Sequence, residues 1–279
     1  MDLRLWTSGR LVLRGAIAGL IITSTPALAI PDPNESDLNG ANPGATSLLV
    51  FTNAASEDDS GGFGNLGRPR RRSSGGSRGI CADLLVALVP GVGTLAQSDQ
   101  NCSLQSASTL ALTVDETPTL WFHAPEQDQA NRAAELVLLD DNQQAISIER
   151  FILPQASGIV GVQLSQPLAT NQSYQWVFSI LENQRNPSQN PAVEGVLRRV
   201  APDANLEMAL LSADTQRKRV DVFAQNGIWH DALTELVNLR RTAPNNPAVA
   251  RDWASFLNSV DLSAIADAPL LNCCTDTLL

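Results

Sequence analysis

The chain has 279 residues, 43% of them hydrophobic, with 19 basic and 29 acidic side chains. That is enough apolar material for a sizeable core. The net charge of −10 argues against nucleic acid as a partner, because phosphates reward clustered Lys and Arg.

Arg4, Arg10 and Arg14 precede an apolar run from Ala16 to Ile22, and Ala27-Leu28-Ala29 follows. A basic start, an apolar middle and a small-residue end predict a cleavable secretory signal over residues 1–29. The uncharged stretch Gly15 to Ile30 includes Thr23, Ser24, Thr25 and Pro26, too polar for a spanning helix of about 20 mainly apolar residues. Losing Arg4, Arg10, Arg14 and Asp2 with the signal would leave 16 basic and 28 acidic residues, a mature net charge of −12. No later stretch approaches membrane-spanning length, so the expectation is an extracytoplasmic protein, periplasmic or secreted.

Residues 30–79 are rich in Gly, Ser, Pro and Arg, as in Pro31-Asp32-Pro33 and Arg70-Arg71-Arg72-Ser73-Ser74-Gly75-Gly76. Such a composition buries too little surface to offset its ordering entropy, which predicts a disordered spacer. Within it only Ser47 to Thr52 is apolar enough to pack. Arg68, Arg70, Arg71, Arg72 and Arg78 could meet an anionic cell-wall polymer or lipid, although a short basic run is weakly specific.

Residues 80–201 alternate short apolar segments with turn residues, the pattern of an antiparallel β-sandwich-like domain. The strands predicted are Leu84–Val89, Thr109–Val114, Thr119–Ala124, Ala134–Leu139, Ala145–Leu153, Ile159–Leu164, Tyr174–Leu181 and Val193–Val200. Tyr174, Trp176, Phe178 and Ile180 recur with period two and so share a core-facing side. Asp140-Asp141-Asn142 signals a hairpin turn and supplies too few oxygen ligands for calcium.

Residues 202–279 read as a helical C-terminal cap. One helix is expected from Leu206 to Asn226, with Gly227 as its C-terminal stop. A second, Ile228–Thr242, places Ile228, Ala232, Leu236 and Leu239 on one face, which puts His230-Asp231 on its outer side. Asn246-Pro247 starts a third, with Val249, Trp253, Phe256 or Leu257, and Val260 as its stripe. The pair around Gly227 resembles one tetratricopeptide repeat through Phe223, Gly227, Ala232, Leu236 and Pro244; one unit cannot bury a continuous core, so a capping hairpin is the simpler meaning.

Cys81, Cys102, Cys273 and Cys274 are even in number and suit disulfides in an oxidising compartment. Joining adjacent Cys273 and Cys274 would strain the intervening peptide, so each is expected to reach Cys81 or Cys102. A four-thiolate zinc site would need spaced Cys pairs, which are missing. No metal or cofactor is expected. The two histidines, His123 and His230, come without a nucleophile elbow or metal-binding helix motif, so no catalytic residue is assigned. Glu194, Arg198 and Arg199 form the densest charged set beside an apolar strand and are the possible binding residues, with an ordinary salt bridge as the structural alternative.

Across the chain, Arg70-Arg71-Arg72 to Cys81, Thr117-Pro118-Thr119-Leu120-Trp121-Phe122, Tyr174-Gln175-Trp176, Val193-Glu194-Gly195-Val196-Leu197-Arg198-Arg199, Gly227-Ile228-Trp229-His230-Asp231-Ala232-Leu233 and Cys273-Cys274 occur in a recognisable order. The chain thereby resembles a cyanobacterial family, the domain-of-unknown-function 928 family. That resemblance implies an exported cyanobacterial protein and no particular activity. It also implies a Cys near Leu181, which this chain lacks, leaving the disulfide pairing open. The function expected is a non-enzymatic binding or scaffolding protein of the cell envelope, with an envelope protein or cell-wall polymer as partner. The alternative is an envelope hydrolase or transferase using dispersed carboxylates such as Asp140, Glu149 or Glu194.

Overall fold

The structure, a computed structural model, describes residues 48–52, 84–92, 95–98, 101–104, 107–108, 110–128, 131–183 and 185–274. The predicted signal, most of the predicted spacer with its arginines, and Cys81 lie outside them. The described residues all fall in one compact unit, Thr46–Leu279.

Twelve strands are described: β1 (Val86–Ala87), β2 (Gly91–Val92), β3 (Leu95–Ser98), β4 (Asn101–Leu104), β5 (Ala107–Ser108), β6 (Leu110–Thr113), β7 (Thr119–Ala124), β8 (Arg132–Leu139), β9 (Ala145–Leu153), β10 (Gly158–Gln163), β11 (Ser173–Ile180) and β12 (Ala192–Arg199). They form a five-stranded sheet, β6-β12-β11-β8-β9, a three-stranded sheet, β1-β7-β10, and two short pairs, β2-β5 and β3-β4. The fold is mainly β with α, and the expected antiparallel pattern fails at one edge, where β6 runs parallel to β12. The sequence reading also missed β2 to β5, whose two- to four-residue lengths are too short to show a period.

The two main sheets pack face to face. Phe122 on β7 stacks on Phe178 on β11 with ring centroids 4.0 Å apart, and Trp176 meets Phe122 edge-on. Burial on β11 alternates as its period predicts, with Tyr174, Trp176, Phe178 and Ile180 inward. On β7, by contrast, every residue from Leu120 to Ala124 is buried, because this strand lies between the larger sheet and the helices. Trp121 lies against Gly161 of β10, its register partner, where any Cβ would stand 2.6 Å from the indole ring. The β8–β9 turn is held by Asp140, whose Oδ1 accepts from the backbone N–H of Asn142 and Gln144, while Gln143 takes the left-handed conformation at φ 62.

Four helices follow: α1 (Ala204–Ser212), α2 (Gln216–Gln225), α3 (Trp229–Thr242) and α4 (Pro247–Asn258). The single helix expected from Leu206 to Asn226 is thus two. Thr215 accepts a hydrogen bond from Lys218 N–H and starts α2 afresh, as Asp203 starts α1 through Leu206 N–H. Gly227 follows α2 at φ 71, a left-handed stop that costs glycine little, and Asn246 with Pro247 opens α4. Residues 48–52 join this layer: Phe51 packs edge-on to Trp229, which stacks on Phe256, and Thr52 N–H donates to the Ala224 carbonyl. Trp229 Nε1 donates to the Leu88 carbonyl and fastens the helices to the β1 segment.

Candidate functional site

Because α3 starts directly after the Gly227 turn, His230 and Asp231 lie in its first turn, and Thr234, Glu235 and Asn238 follow one and two turns on. These five residues line one wall of a cleft of about 360 Å³. The opposite wall is the β6–β7 connection, including Thr113, Val114, Asp115 and Pro118; Leu210 of α1 with Arg219 and Phe223 of α2 close one side. The size and the mixture of apolar wall with a few convergent polar groups are those of a small-ligand site.

The connection is pinned to α3 by a relay of hydrogen bonds. Thr113 Oγ1 donates to Asp231 Oδ2 at 2.7 Å and accepts from Asp115 N–H, while Val114 N–H donates to the same Oδ2 at 3.2 Å. Burial pushes the Asp231 carboxyl up to about 6, partly opposed by the Thr113 and Val114 hydrogen bonds and reinforced by the nearby Asp115 charge. Deeper in α3, Thr234 Oγ1 accepts from Trp121 Nε1 at 3.0 Å. Glu235 is engaged by Arg219 Nε at 3.1 Å and by the Gln216 amide. Arg217, next to Gln216 on the same helix, instead grips buried Asp252 with two nitrogens, at 2.6 and 3.1 Å.

His230 is the anomaly. It is 1% exposed, and neither ring nitrogen has a hydrogen-bond partner among the described residues. Burial lowers its pKa to about 3, so the ring is neutral at ordinary pH. Buried polar side-chain atoms are normally satisfied, which makes an unpartnered imidazole on a cleft wall a candidate for meeting something from outside. This corrects the expectation that His230-Asp231 sits on the outer side of its helix. That placement assumed one buried face, whereas α3 is packed on several sides and buries Trp229, His230, Ala232, Leu233, Leu236 and Val237.

The other sequence candidates lie elsewhere. His123 Nδ1 donates to the Leu84 carbonyl at 2.9 Å, which leaves Nε2 as the acceptor 3.3 Å from Ser157 Oγ; burial holds its pKa below the ordinary value. Arg199 Nη1 and Nε donate to the carbonyls of Leu168 and Val114, so it secures the β6–β7 connection without lining the cleft. Glu194 and Arg198 sit on β12, also outside the lining. Glu149 is buried under Ser147 and Ser165, and Asp140 is occupied by its turn.

Cys273 and Cys274 have their sulfurs at bonding distance from one another, contrary to the distant partners expected for them. The tail is docked beside β10 by Ile159 N–H to Pro269 O and Leu271 N–H to Ile159 O, which carries Cys273 Sγ to 3.5 Å from the Ile152 carbonyl. Cys274 adopts a left-handed backbone at φ 69. Cys102 falls on β4 opposite Gln97. Among the described residues, no group of three or more His, Cys, Asp or Glu is placed to hold a metal ion, and no helix is long and apolar enough to cross a membrane.

The cleft residues run from Thr113 to Asn238, all within residues 73–270, which match the model of the family described as Domain of Unknown Function (DUF928). The chain belongs to that family. Comparison with curated proteins gave no match. Sequence reasoning missed Thr113, Asp115, Thr234, Glu235 and Arg219. The polar positions 231, 234, 235 and 238 do form a helical stripe, but the partners of Asp231 and Thr234 are contributed by strands more than a hundred residues earlier, and those of Glu235 by α2.

Proposed function

We propose that this DUF928 protein is an exported, non-enzymatic binding protein of the cell envelope, and that its ligand enters the cleft between α3 and the β6–β7 connection. The observation that carries this reading is His230: an enclosed, neutral imidazole with two unused ring nitrogens on the wall of a ligand-sized cleft. Binding fits this wall better than catalysis. Among the described residues the lining includes no Ser, Cys or Lys, and of its three threonines Thr113 is buried and committed to Asp231 while Thr234 accepts from Trp121. A histidine lowered to about 3 is also a poor general base near neutrality. Export and a cyanobacterial host belong to the same reading, supported by the order of basic, apolar and small residues over 1–29 and by the residues that resemble the family.

The test is capture from envelope extracts by the purified protein, run beside Asn238→Trp, a rim substitution that fills the cleft, with mass spectrometry of bound proteins and glycans. Saturable capture that is lost in Asn238→Trp is expected. Equal capture by both would remove the cleft from the reading. Turnover of an envelope substrate that disappears in Asp231→Asn would favour the hydrolase alternative, with Asp231 as its carboxylate in place of Asp140, Glu149 or Glu194. Export is checked separately by sequencing the N-terminus of the cell-derived protein, expected at Ile30.

A further inference from the structure

Among the described residues, four charged side chains line the cleft: Asp115, Asp231 and Glu235 against Arg219. The guanidinium is already directed at Glu235, at 3.1 Å. Asp115 and Asp231 are therefore left without a lining cation, and their mutual repulsion contributes to raising the Asp231 pKa. Both are held in place rather than splayed apart. Asp115 Oδ1 accepts from Thr117 N–H, its own N–H donates to Thr113 Oγ1, and that hydroxyl donates to Asp231. Thr113 Oγ1 and Val114 N–H both donate to Oδ2 of Asp231.

The remaining surface narrows the choice of cation. A hard divalent ion takes six or more oxygen ligands, and among the described residues these two carboxylates do not belong to any group placed to hold a metal. Pro118, Leu210, Phe223 and Val114 instead offer apolar wall beside the acids. Thr234 accepts from Trp121, so its own hydroxyl hydrogen remains to donate. Among the described residues, an anionic ligand would meet two carboxylates with no lining guanidinium left to offset them.

Resting on the reading of this cleft as the binding site, we propose that its ligand is an ammonium group carried on a compact apolar body. The nitrogen sits by Asp115 and Asp231, and the body lies against Pro118, Leu210 and Phe223. An aryl or alkyl amine and the lysyl side chain of a peptide share this chemistry.

The test titrates the purified full chain at pH 7.5 with 2-phenylethylamine, its neutral analogue 2-phenylethanol, its anionic analogue phenylacetate, and Nα-acetyl-lysine methylamide. Calorimetry gives the affinity, and the indole N–H resonance of Trp121, assigned with Trp121→Phe, reports occupancy beside Thr234. An amine is expected to bind at least tenfold more tightly than 2-phenylethanol and to shift the Trp121 resonance, with no binding of phenylacetate. Asp231→Asn should weaken the amine at least tenfold. Asp115→Asn, at an exposed position, should weaken it less and guards against a folding defect in the first variant. Preference for 2-phenylethylamine or for the lysine derivative tells the two sources apart. If 2-phenylethanol binds as well as the amine, or Asp231→Asn binds it unchanged, the ammonium assignment is wrong while the cleft remains a binding site. If no amine binds, the ligand class is wrong, and the Asn238→Trp capture decides separately whether the cleft is the site.

Discussion

Replacing His230 by Gln isolates the energetic cost of an enclosed, unpartnered imidazole. Gln cannot titrate, is similar in bulk, and keeps a donor and an acceptor. Folded His230 is lowered from 6.5 to about 3, so its contribution to stability is intact above the unfolded value and is lost as pH falls from 6.5 towards 3. At pH 5 the unfolded ring is almost fully protonated and the folded ring is not; the gap of about 1.5 pH units corresponds to about 2 kcal/mol. Asp231 works in the opposite direction. Its carboxyl is raised from 3.8 to about 6, so the folded state gains stability as pH falls through that interval. In the native protein the two effects offset each other over the shared window, and in His230→Gln only the Asp231 gain remains. Urea unfolding at pH 7.5 and pH 5 should show the native protein losing about 2 kcal/mol relative to the variant. Parallel pH dependences would refute the reasoning, because His230 would then be paired or hydrated rather than enclosed and unsatisfied.

Other perturbations test the scaffold around the cleft. Asp231→Asn should stabilise the protein at pH 7.5 by about 3 kcal/mol, since it removes a penalised charge, and most of the gain should vanish by about pH 4; unfolding curves at both pH values check this. Asp252→Ala leaves the Arg217 guanidinium without its bidentate partner and should cost about 3 kcal/mol in the same assay, with Asp252→Glu recovering part of it. Gly161→Ala forces a methyl group against the Trp121 ring and should lose about 1–3 kcal/mol, with a change in indole fluorescence. Phe51→Ala empties the contact with Trp229 and Phe256 and should cost about 3–5 kcal/mol, measured by the thermal midpoint.

Much of the framework was legible in local chemistry. Thr119–Ala124 and Ala145–Leu153 matched their strands to the residue, and Tyr174, Trp176, Phe178 and Ile180 turned inward as their period required. Gly227 stopped a helix and Asn246-Pro247 began one, because a left-handed stop and a side-chain cap are properties of single residues. The break in the helix expected from Leu206 to Asn226 was less visible, since Ser212 to Thr215 contains neither Gly nor Pro and only the Thr215 cap marks it. Even the packing of Phe51 follows from an apolar island, Ser47 to Thr52, in an otherwise polar stretch.

The cleft depended on information of another kind. Sequence alone established a helix over Ile228–Thr242 and a strand ending near Val114, but not that Thr113 and Asp231 would meet across 118 positions. Amphipathic periodicity assigns one buried face to a helix, and α3 has more than one, so His230 was misplaced by the same rule that located Ala232 and Leu236 correctly. The partnering of Arg219 with Glu235, which leaves Asp115 and Asp231 as the unopposed acids, is likewise a result of two helices crossing. Local sequence determines which segments are helix, strand or turn because capping, turn formation and periodic burial act over a few residues. Which charges face one another in a shared low-dielectric cleft is decided only when the sheets and helices have packed.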